Sequence, residues 1–507
     1  MGEKQNQSFS LSFNPPLKVD FQGSRVTSGS GLLSMRELDK RLGLSAFLTE
    51  NVVEGQPAKN TRVPDQARHH EMPVTVSAKK SWFHSLPFWL VLGAFALRLI
   101  LLFGLHTYRW NRADDDCLTG ENGNIAISIA SGRGFSSPFT ADYTGPSAWI
   151  APAYPYFCAL VFHFFGVASR NSYIFIFMVQ SLLSALTVLP ILGIARRTVG
   201  REAGWWAAAL WAFFPWFSKW SVTWVWEVSL SALLVALLFW YVLWLDEDRS
   251  PRAWAGMGAL GGIMLLVNPS LTSVLLVAMA WCGSRSRLSG KRWMRKVALS
   301  LTVCVLAISP WLVRNRVVMG QWVFLRDNFG FEFALGNYHA SFGRGWYGFH
   351  PAGNPAELAR YKQLGEIEYV RQAEQAAVQF ATRHPGELLT LTAKRIWYFW
   401  DGSAMGYRAP IPWYWLPQSF AIFSFLLLPA LLWSYRRHVH GWWLFAGAII
   451  FYPLPYYLTY SQVRYRHAIE PLMVLLMGYL ANSVCGVLSQ KGLSAFKMAR
   501  RESLEIH

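Results

Sequence analysis

The feature that most constrains this chain is a recurrence of apolar runs, each about 15–23 residues long, from Leu86 to Leu488. Runs of that length match a hydrocarbon core ~30 Å thick, which a helix crosses in about 20 residues. In lipid a backbone segment has to satisfy its own hydrogen bonds, and a helix does so within one run, so the repetition implies a bundle of spanning helices. Composition agrees: the 507 residues are 53% hydrophobic and 16% aromatic but only 15% charged, against roughly 25% in soluble domains. The net charge of +18 would suggest a nucleic-acid partner for a soluble domain. Here Lys and Arg gather in short loops and tails beside the apolar runs, the pattern of cytoplasmic loops, and no nucleic acid is expected. The five cysteines are scattered without a CxxC pair, so neither a zinc site nor a disulfide framework is indicated.

Charge orients the runs. Lys79 and Lys80 precede the first, about Leu86–Leu105, which puts the amino terminus in the cytoplasm. Ala151–Val167 reads as an interfacial helix rather than a crossing, because a crossing there would place Arg196, Arg197 and Arg201 outside. Spans then fall near Tyr173–Ala195, Ala203–Phe217, Val228–Leu245, Ala253–Val267 and Ser270–Trp281, the last two turning at Asn268-Pro269. The loop Arg285–Lys296 carries six Arg or Lys and is cytoplasmic; a seventh span ends at Ser309-Pro310-Trp311. Three more run at about Pro412–Tyr435, Gly441–Tyr460 and Pro471–Leu488. The expected fold is an all-α polytopic membrane protein of about ten transmembrane helices with partly helical outer-face segments. Its parts are a mostly disordered cytoplasmic tail (1–80, with a short helix near Met35–Leu48), a transmembrane catalytic module (81–313) with its first outer loop at 106–170, an outer segment (314–411), C-terminal helices (412–490) and a cytoplasmic tail (491–507). Two sizeable outer segments point to chemistry at the outer surface.

The first outer loop holds Asp114-Asp115-Asp116, Gly120-Glu121-Asn122, Ile125-Ala126, Gly132-Arg133-Gly134-Phe135 and Pro152-Ala153-Tyr154-Pro155. Further along come Trp224-Val225-Trp226-Glu227, Pro310 to Asn315, Asn328-Phe329-Gly330 with Glu332, Gly336-Asn337, His384-Pro385, Arg395 to Trp400, and Arg464-Tyr465-Arg466-His467. This ordered set, spread over roughly residues 85–490, resembles membrane glycosyltransferases of the GT-C fold, specifically glycosyltransferase family 39, whose relatives include protein O-mannosyltransferases and lipid A aminoarabinose transferases. The chain departs from that pattern at Gly120, where relatives usually carry Asp before the Glu. By contrast Gly256-Met257-Gly258-Ala259-Leu260-Gly261 matches the dinucleotide fingerprint by letter, but it lies inside a membrane run with no preceding strand; small residues for close helix packing explain it better.

The resemblance implies an inverting sugar transfer, in which one carboxylate takes the acceptor's proton while the donor phosphate leaves from the opposite face. Glu121 is the expected catalytic base, with Asp114, Asp115 and Asp116 as alternatives that otherwise form a solvated face. Glu227, at a span boundary beside two tryptophans, is a candidate for binding Mg²⁺ or Mn²⁺ together with Glu121. A departing lipid phosphate needs cations, and Arg464, Arg466, His467 and Arg314 are the expected phosphate-binding residues. The partners so implied are a polyprenyl-phosphate-linked sugar, a glycan, lipid or protein acceptor, and membrane lipids. The expected location is the inner membrane, multi-pass, with the active site on the periplasmic side. The alternatives are an O-antigen-type polymerase or ligase, and a transporter or flippase of lipid-linked glycans.

Overall fold

The computed structural model describes residues 9–11, 14–19, 85–109, 118–245, 250–288, 293–339, 341, 347–402 and 416–486. The chain divides into two compact units, Met1–Ala78 and Lys79–His507. In the first, β1 (Phe9–Leu11) and β2 (Asn14–Val19) pair antiparallel with Phe9 opposite Val19, a local pairing in a segment whose composition reads as disordered. The helix expected near residues 35–48 lies outside the described residues.

The second unit is helical. Its elements are α1 (Leu86–Gly104), α2 (Gly120–Ala130), α3 (Ala153–Phe165), α4 (Arg170–Leu186), α5 (Val188–Arg197), α6 (Arg201–Phe213), α7 (Pro215–Thr223), α8 (Val228–Leu245), α9 (Pro251–Val267), α10 (Thr272–Leu288) and α11 (Trp293–Met319). After these come α12 (Phe329–Gly336), α13 (Pro355–Leu364), α14 (Glu366–Arg383), α15 (Pro385–Asp401), α16 (Leu416–Arg436), α17 (Trp442–Phe451) and α18 (Leu454–Leu458). A 3₁₀ turn at Val463–Ile469 runs into a last helix, α19, over 470–486.

Among the described residues five helical stretches are long and apolar enough to cross a membrane: Leu86–Gly104, Arg170–Arg197, Val228–Leu245, Trp293–Met319 and Val463–Gly486. Several other runs break where the sequence carries proline. Ala203–Phe217 resolves into α6 and α7 because Phe214, ahead of Pro215, is extended (ψ 124°), as the residue before proline tends to be. Gly441–Tyr460 likewise divides into α17 and α18 around Pro453. The turn expected at Asn268-Pro269 is present, with Asn268 Oδ1 accepting from Ser270 N at 3.0 Å. Pro310 behaves differently. The helix does not end there but continues to Met319, so the 313/314 boundary falls inside α11. Tertiary bonds hold the continuation: Trp311 Nε1 donates to Leu325 O (2.8 Å) and Asn315 Nδ2 to Val323 O (3.3 Å), which offsets the hydrogen bond the proline removes.

Two packing details fix the bundle. Arg98, fully buried in α1, donates to Ser184 Oγ at 3.0 Å and to the carbonyls of Ala94, Ala212 and Trp211 at 2.9–3.2 Å. Its guanidinium thus caps the carbonyl end of α6, the partner a cation inside an apolar run requires. Between α9 and α11 the glycine row does what small residues do at helix contacts: a Cβ at Gly258 would stand 2.2 Å from Ser300 O, and one at Gly262 2.4 Å from Ala307 Cβ. Gly258→Val should therefore force the two helices apart and destabilise the detergent-solubilised protein by about 1–3 kcal/mol or more. A thermal unfolding scan beside wild type checks this; an unchanged midpoint would mean that the close approach is absent.

Candidate active site

Glu121 sits in the first turn of α2, where the helix N-terminus favours negative charge. The turn into α2 needs Gly120, which has φ +46° and lies so close to Trp226 that a Cβ would stand 3.1 Å from its ring. Opposite the carboxylate, His350 Nε2 lies 3.5 Å from Glu121 Oε1. Ala352 N–H donates to His350 Nδ1 at 3.2 Å, so in the neutral ring Nε2 bears the proton and aims it at Glu121. Burial alone would raise the Glu121 carboxyl. The hydrogen bond from His350, the residue's own backbone N–H and the Arg464 charge outweigh it and hold the group below the usual carboxylate value.

The second wall is the extended loop between α7 and α8. Gln180 of α4 pins it: Nε2 donates to Trp224 O at 2.9 Å and Oε1 accepts from Trp226 N at 3.2 Å, while Tyr154 Oη donates to the same oxygen. Fixed in this way, Trp224 and Trp226 hold the Arg464 guanidinium at 4.8 and 4.6 Å from their ring centres, with Tyr465 at 5.3 Å, a cation–π arrangement that strengthens as water is excluded. Glu227 follows the loop directly. Burial pushes its carboxyl up to about 7, against the opposing pull of its own backbone N–H, Arg464 and Arg326, and the Glu121 charge pushes it the same way. Two neighbouring carboxyls are thereby driven apart, one ionised and one poised near neutrality, which is the arrangement that separates acid and base roles.

Glu121, Glu227 and Arg464 line one cavity. Its wall also contains Arg326, Glu332 and Asn268, together with Trp149, Trp226 and the tyrosines 452, 456, 460 and 465. The sequence motifs left out Arg326 and His350, and included Glu332 without a role in the site. Arg326 donates to Ser270 Oγ at 3.2 Å, and Glu332 accepts from Asn328 Nδ2 at 2.9 Å. Burial raises Glu332 above its ordinary value, with the Arg326 charge opposing.

The other residues singled out from the sequence sit elsewhere. Arg466 and His467 are fully buried and turn away from the cavity onto Glu470, at 3.1 and 2.7 Å, where Trp216 Nε1 also donates (2.8 Å). Arg314 donates to Ser147 O (2.6 Å) and Phe135 O (2.8 Å) and stacks on Trp311. None of the three lines the cavity. Asp114, Asp115 and Asp116 lie outside the described residues. The spacing carried a signal for the buried group, since Glu470 follows Arg466 and His467 at i+4 and i+3, the positions that face each other on a helix.

The Ser147–Ile150 segment, which brings Trp149 and Ile150 to the cavity, is held by residues that follow α11. Ala148 N donates to Glu366 Oε1 (2.5 Å) and Ala148 O accepts from Asp327 N (3.1 Å), while Tyr361 Oη donates to Glu366 Oε2 (2.7 Å). Burial, and each other's proximity, raise the carboxyl of Asp327; burial also raises that of Glu366, although its hydrogen-bond donors pull it down.

Residues 149–313, about a third of the chain, match the family model described as dolichyl-phosphate-mannose-protein mannosyltransferase. The resemblance read from the sequence motifs is borne out over that segment. Among solved structures the chain is similar to the oligosaccharyltransferase of Archaeoglobus fulgidus in its apo form, at 13% identity and a TM-score of 0.47, covering 82% of this chain and 52% of that one. The same archaeal enzyme, AglB, in complex with an inhibitory peptide and a dolichol-phosphate gives 13% identity, a TM-score of 0.41 and the same coverage. ArnT from Cupriavidus metallidurans bound to undecaprenyl phosphate gives 14% identity and a TM-score of 0.37 over 78% of each chain. The chain thus spans about half the length of the archaeal enzyme. No curated protein matches the sequence significantly.

The raised Glu227 carboxyl has a stability consequence. The folded state holds its proton up to about pH 7, whereas an unfolded chain releases it near 4.3. Its favourable contribution is therefore complete below that lower value and is lost as pH rises through 7. Glu227→Gln should flatten the pH dependence, gaining on wild type by about 1–3 kcal/mol between pH 5 and pH 8. Thermal scans of both proteins across that range check it; parallel curves would show that Glu227 titrates normally.

Proposed function

We propose that this chain is an inverting glycosyltransferase that moves a sugar from a polyprenyl-phosphate donor to an acceptor hydroxyl or amine at the outer face of the membrane. The observation that carries the reading is the single cavity in which the ionised Glu121 faces the cations Arg464 and Arg326. In this reading Glu121 takes the acceptor's proton as the acceptor oxygen or nitrogen attacks the anomeric carbon. The bond from that carbon to the phosphate oxygen breaks, and Arg464 and Arg326 receive the departing polyprenyl phosphate. Guanidinium groups suit this because their planar forks match phosphate oxygens in pairs. The aromatic walls limit water, which would otherwise compete as acceptor. The family match over residues 149–313, which includes Trp149 and Glu227, supports a polyprenyl-linked donor.

The carboxylates of Glu121 and Glu227 fit a hard divalent cation such as Mg²⁺ or Mn²⁺, with the remaining positions left to phosphate oxygens and water. Such an ion would neutralise charge on the leaving phosphate. The topology that accompanies the reading is the ten-span one with both termini cytoplasmic and the cavity periplasmic, the enzyme residing in the inner membrane.

A second assignment of the base rests on one observation: Glu227, near 7, is better matched to proton transfer at neutral pH than the more acidic Glu121. Transfer from a radiolabelled polyprenyl-phosphate sugar in proteoliposomes tests both. Glu121→Gln should lower kcat by about 10²–10⁴-fold. Glu227→Gln should lower it less if Glu227 holds the cation or the donor. The reverse order would move the base to Glu227, and unimpaired transfer by E121Q would remove Glu121 from the mechanism. Arg464→Ala should weaken transfer while the protein still folds, whereas Arg466→Ala should unfold the protein, because removing one partner of a buried ion pair costs about 3–5 kcal/mol. Substrate movement without bond formation, more sensitive to Arg464 than to Glu121, would indicate a flippase instead. Polymerisation or ligation of a lipid-linked glycan that survives E121Q would indicate the polymerase-type alternative.

A further inference from the structure

Apart from the cavity, one group of ligating side chains converges among the described residues. His339, in the segment that follows α12, shares a hydrogen bond between Nδ1 and Glu387 Oε2 at 2.9 Å. Its ring meets that of His384 edge-on, with centroids 4.5 Å apart. One ligand-capable atom from each of the three residues lies within 4.8 Å of the others. We propose that His339, His384 and Glu387 form a Zn²⁺ site.

The donor set decides the metal. Two imidazoles and a carboxylate suit zinc, whereas Mg²⁺ and Ca²⁺ take oxygen ligands. Zinc–ligand bonds of about 2.0–2.2 Å place tetrahedral donors roughly 3.3 Å apart. The His339–Glu387 pair, at 2.9 Å, needs to part by only a few tenths of an ångström to reach that spacing, and the exposed His384 ring can close on it by side-chain rotation. Three protein ligands leave a fourth position for water.

The scaffold is held in place without a metal. His384 caps α15 and Glu387 lies in its first turn, so the two project from one face. Phe380 packs against both imidazoles, with centroids at 5.1 and 5.5 Å. The segment carrying His339 is anchored just upstream, where Arg395 donates to Gly336 O (2.8 Å) and Asn337 Oδ1 (3.0 Å). A bound ion would tie the start of α15 to the segment leading out of α12, whose Phe329 and Glu332 line the cavity. None of the three ligands lines it, so the site is separate from any cation held by Glu121 and Glu227.

The test is Zn²⁺ binding to chelator-stripped full-length protein in detergent, followed by calorimetry and elemental analysis. Wild type should bind one equivalent more than H339A/H384A, and Glu387→Gln should weaken that equivalent by at least about 10–100-fold. The extra equivalent should persist in an E121Q/E227Q background, which removes the cavity carboxylates. Both histidines are exposed, and elution profiles compare the folding of the variants. X-ray absorption at the zinc edge of the wild-type protein should show imidazole scattering. Equal stoichiometry and affinity in wild type and H339A/H384A, or a spectrum without imidazole, would overturn the proposal.

Discussion

The arrangement depends on a guanidinium held in an aromatic clamp. Arg464 lies between Trp224 and Trp226 at the start of the 3₁₀ turn that leads into α19. A cation there has lost much of its water and needs compensation. The ring faces supply part of it, and the carboxylate of Glu121, whose acidity Arg464 enhances, supplies another part. The clamp in turn requires an extended loop, and that loop is extended because Gln180 occupies its backbone groups from inside the bundle. A single buried glutamine of α4 thus sets the position of the cation, of the neighbouring Glu227, and of the α2 turn that Trp226 crowds at Gly120.

The segments between α1 and α4 and between α11 and α16 serve this geometry. Arg314 fastens Phe135 and Ser147, and Glu366 with Asp327 fastens Ala148. These bonds link residues far apart in sequence and give the cavity a wall from each of the two segments. Behind them Phe139, Trp149, Phe331 and Tyr361 interlock edge to face at centroid distances of 4.7–5.1 Å, the spacing aromatic pairs prefer.

How much of this was legible in the sequence follows from what each signal measures. Apolar run length located the helices because lipid thickness fixes it, and the glycine row at 256–262 could be assigned to packing because its context lacked a strand. Glu227 and Arg464 were legible as charges beside apolar runs, where a charge is costly without a purpose, and Glu121 through the motif that carries the family resemblance. That same reasoning grouped Arg466 and His467 with Arg464, because a count of charges by side does not see direction. Two residues along the 3₁₀ turn separate a guanidinium facing the cavity from one facing Glu470. Arg326 and His350 were not legible, since nothing local distinguishes them from solvated loop residues; only the fold brings Arg326 to the cavity wall and His350 against Glu121. The helix through Pro310 was missed because a tertiary bond from Trp311 decided it.

The account stands on a lipid phosphate binding beside Arg464 and Arg326, across the cavity from Glu121. Its most direct test is a cryo-electron microscopy structure of the protein in lipid nanodiscs with a polyprenyl phosphate. The phosphate should lie within hydrogen-bond reach of both guanidinium groups, with Glu121 on the opposite wall and the prenyl chain leaving toward lipid. A phosphate bound elsewhere, or a structure in which Glu121 and Arg464 share no cavity, would contradict it.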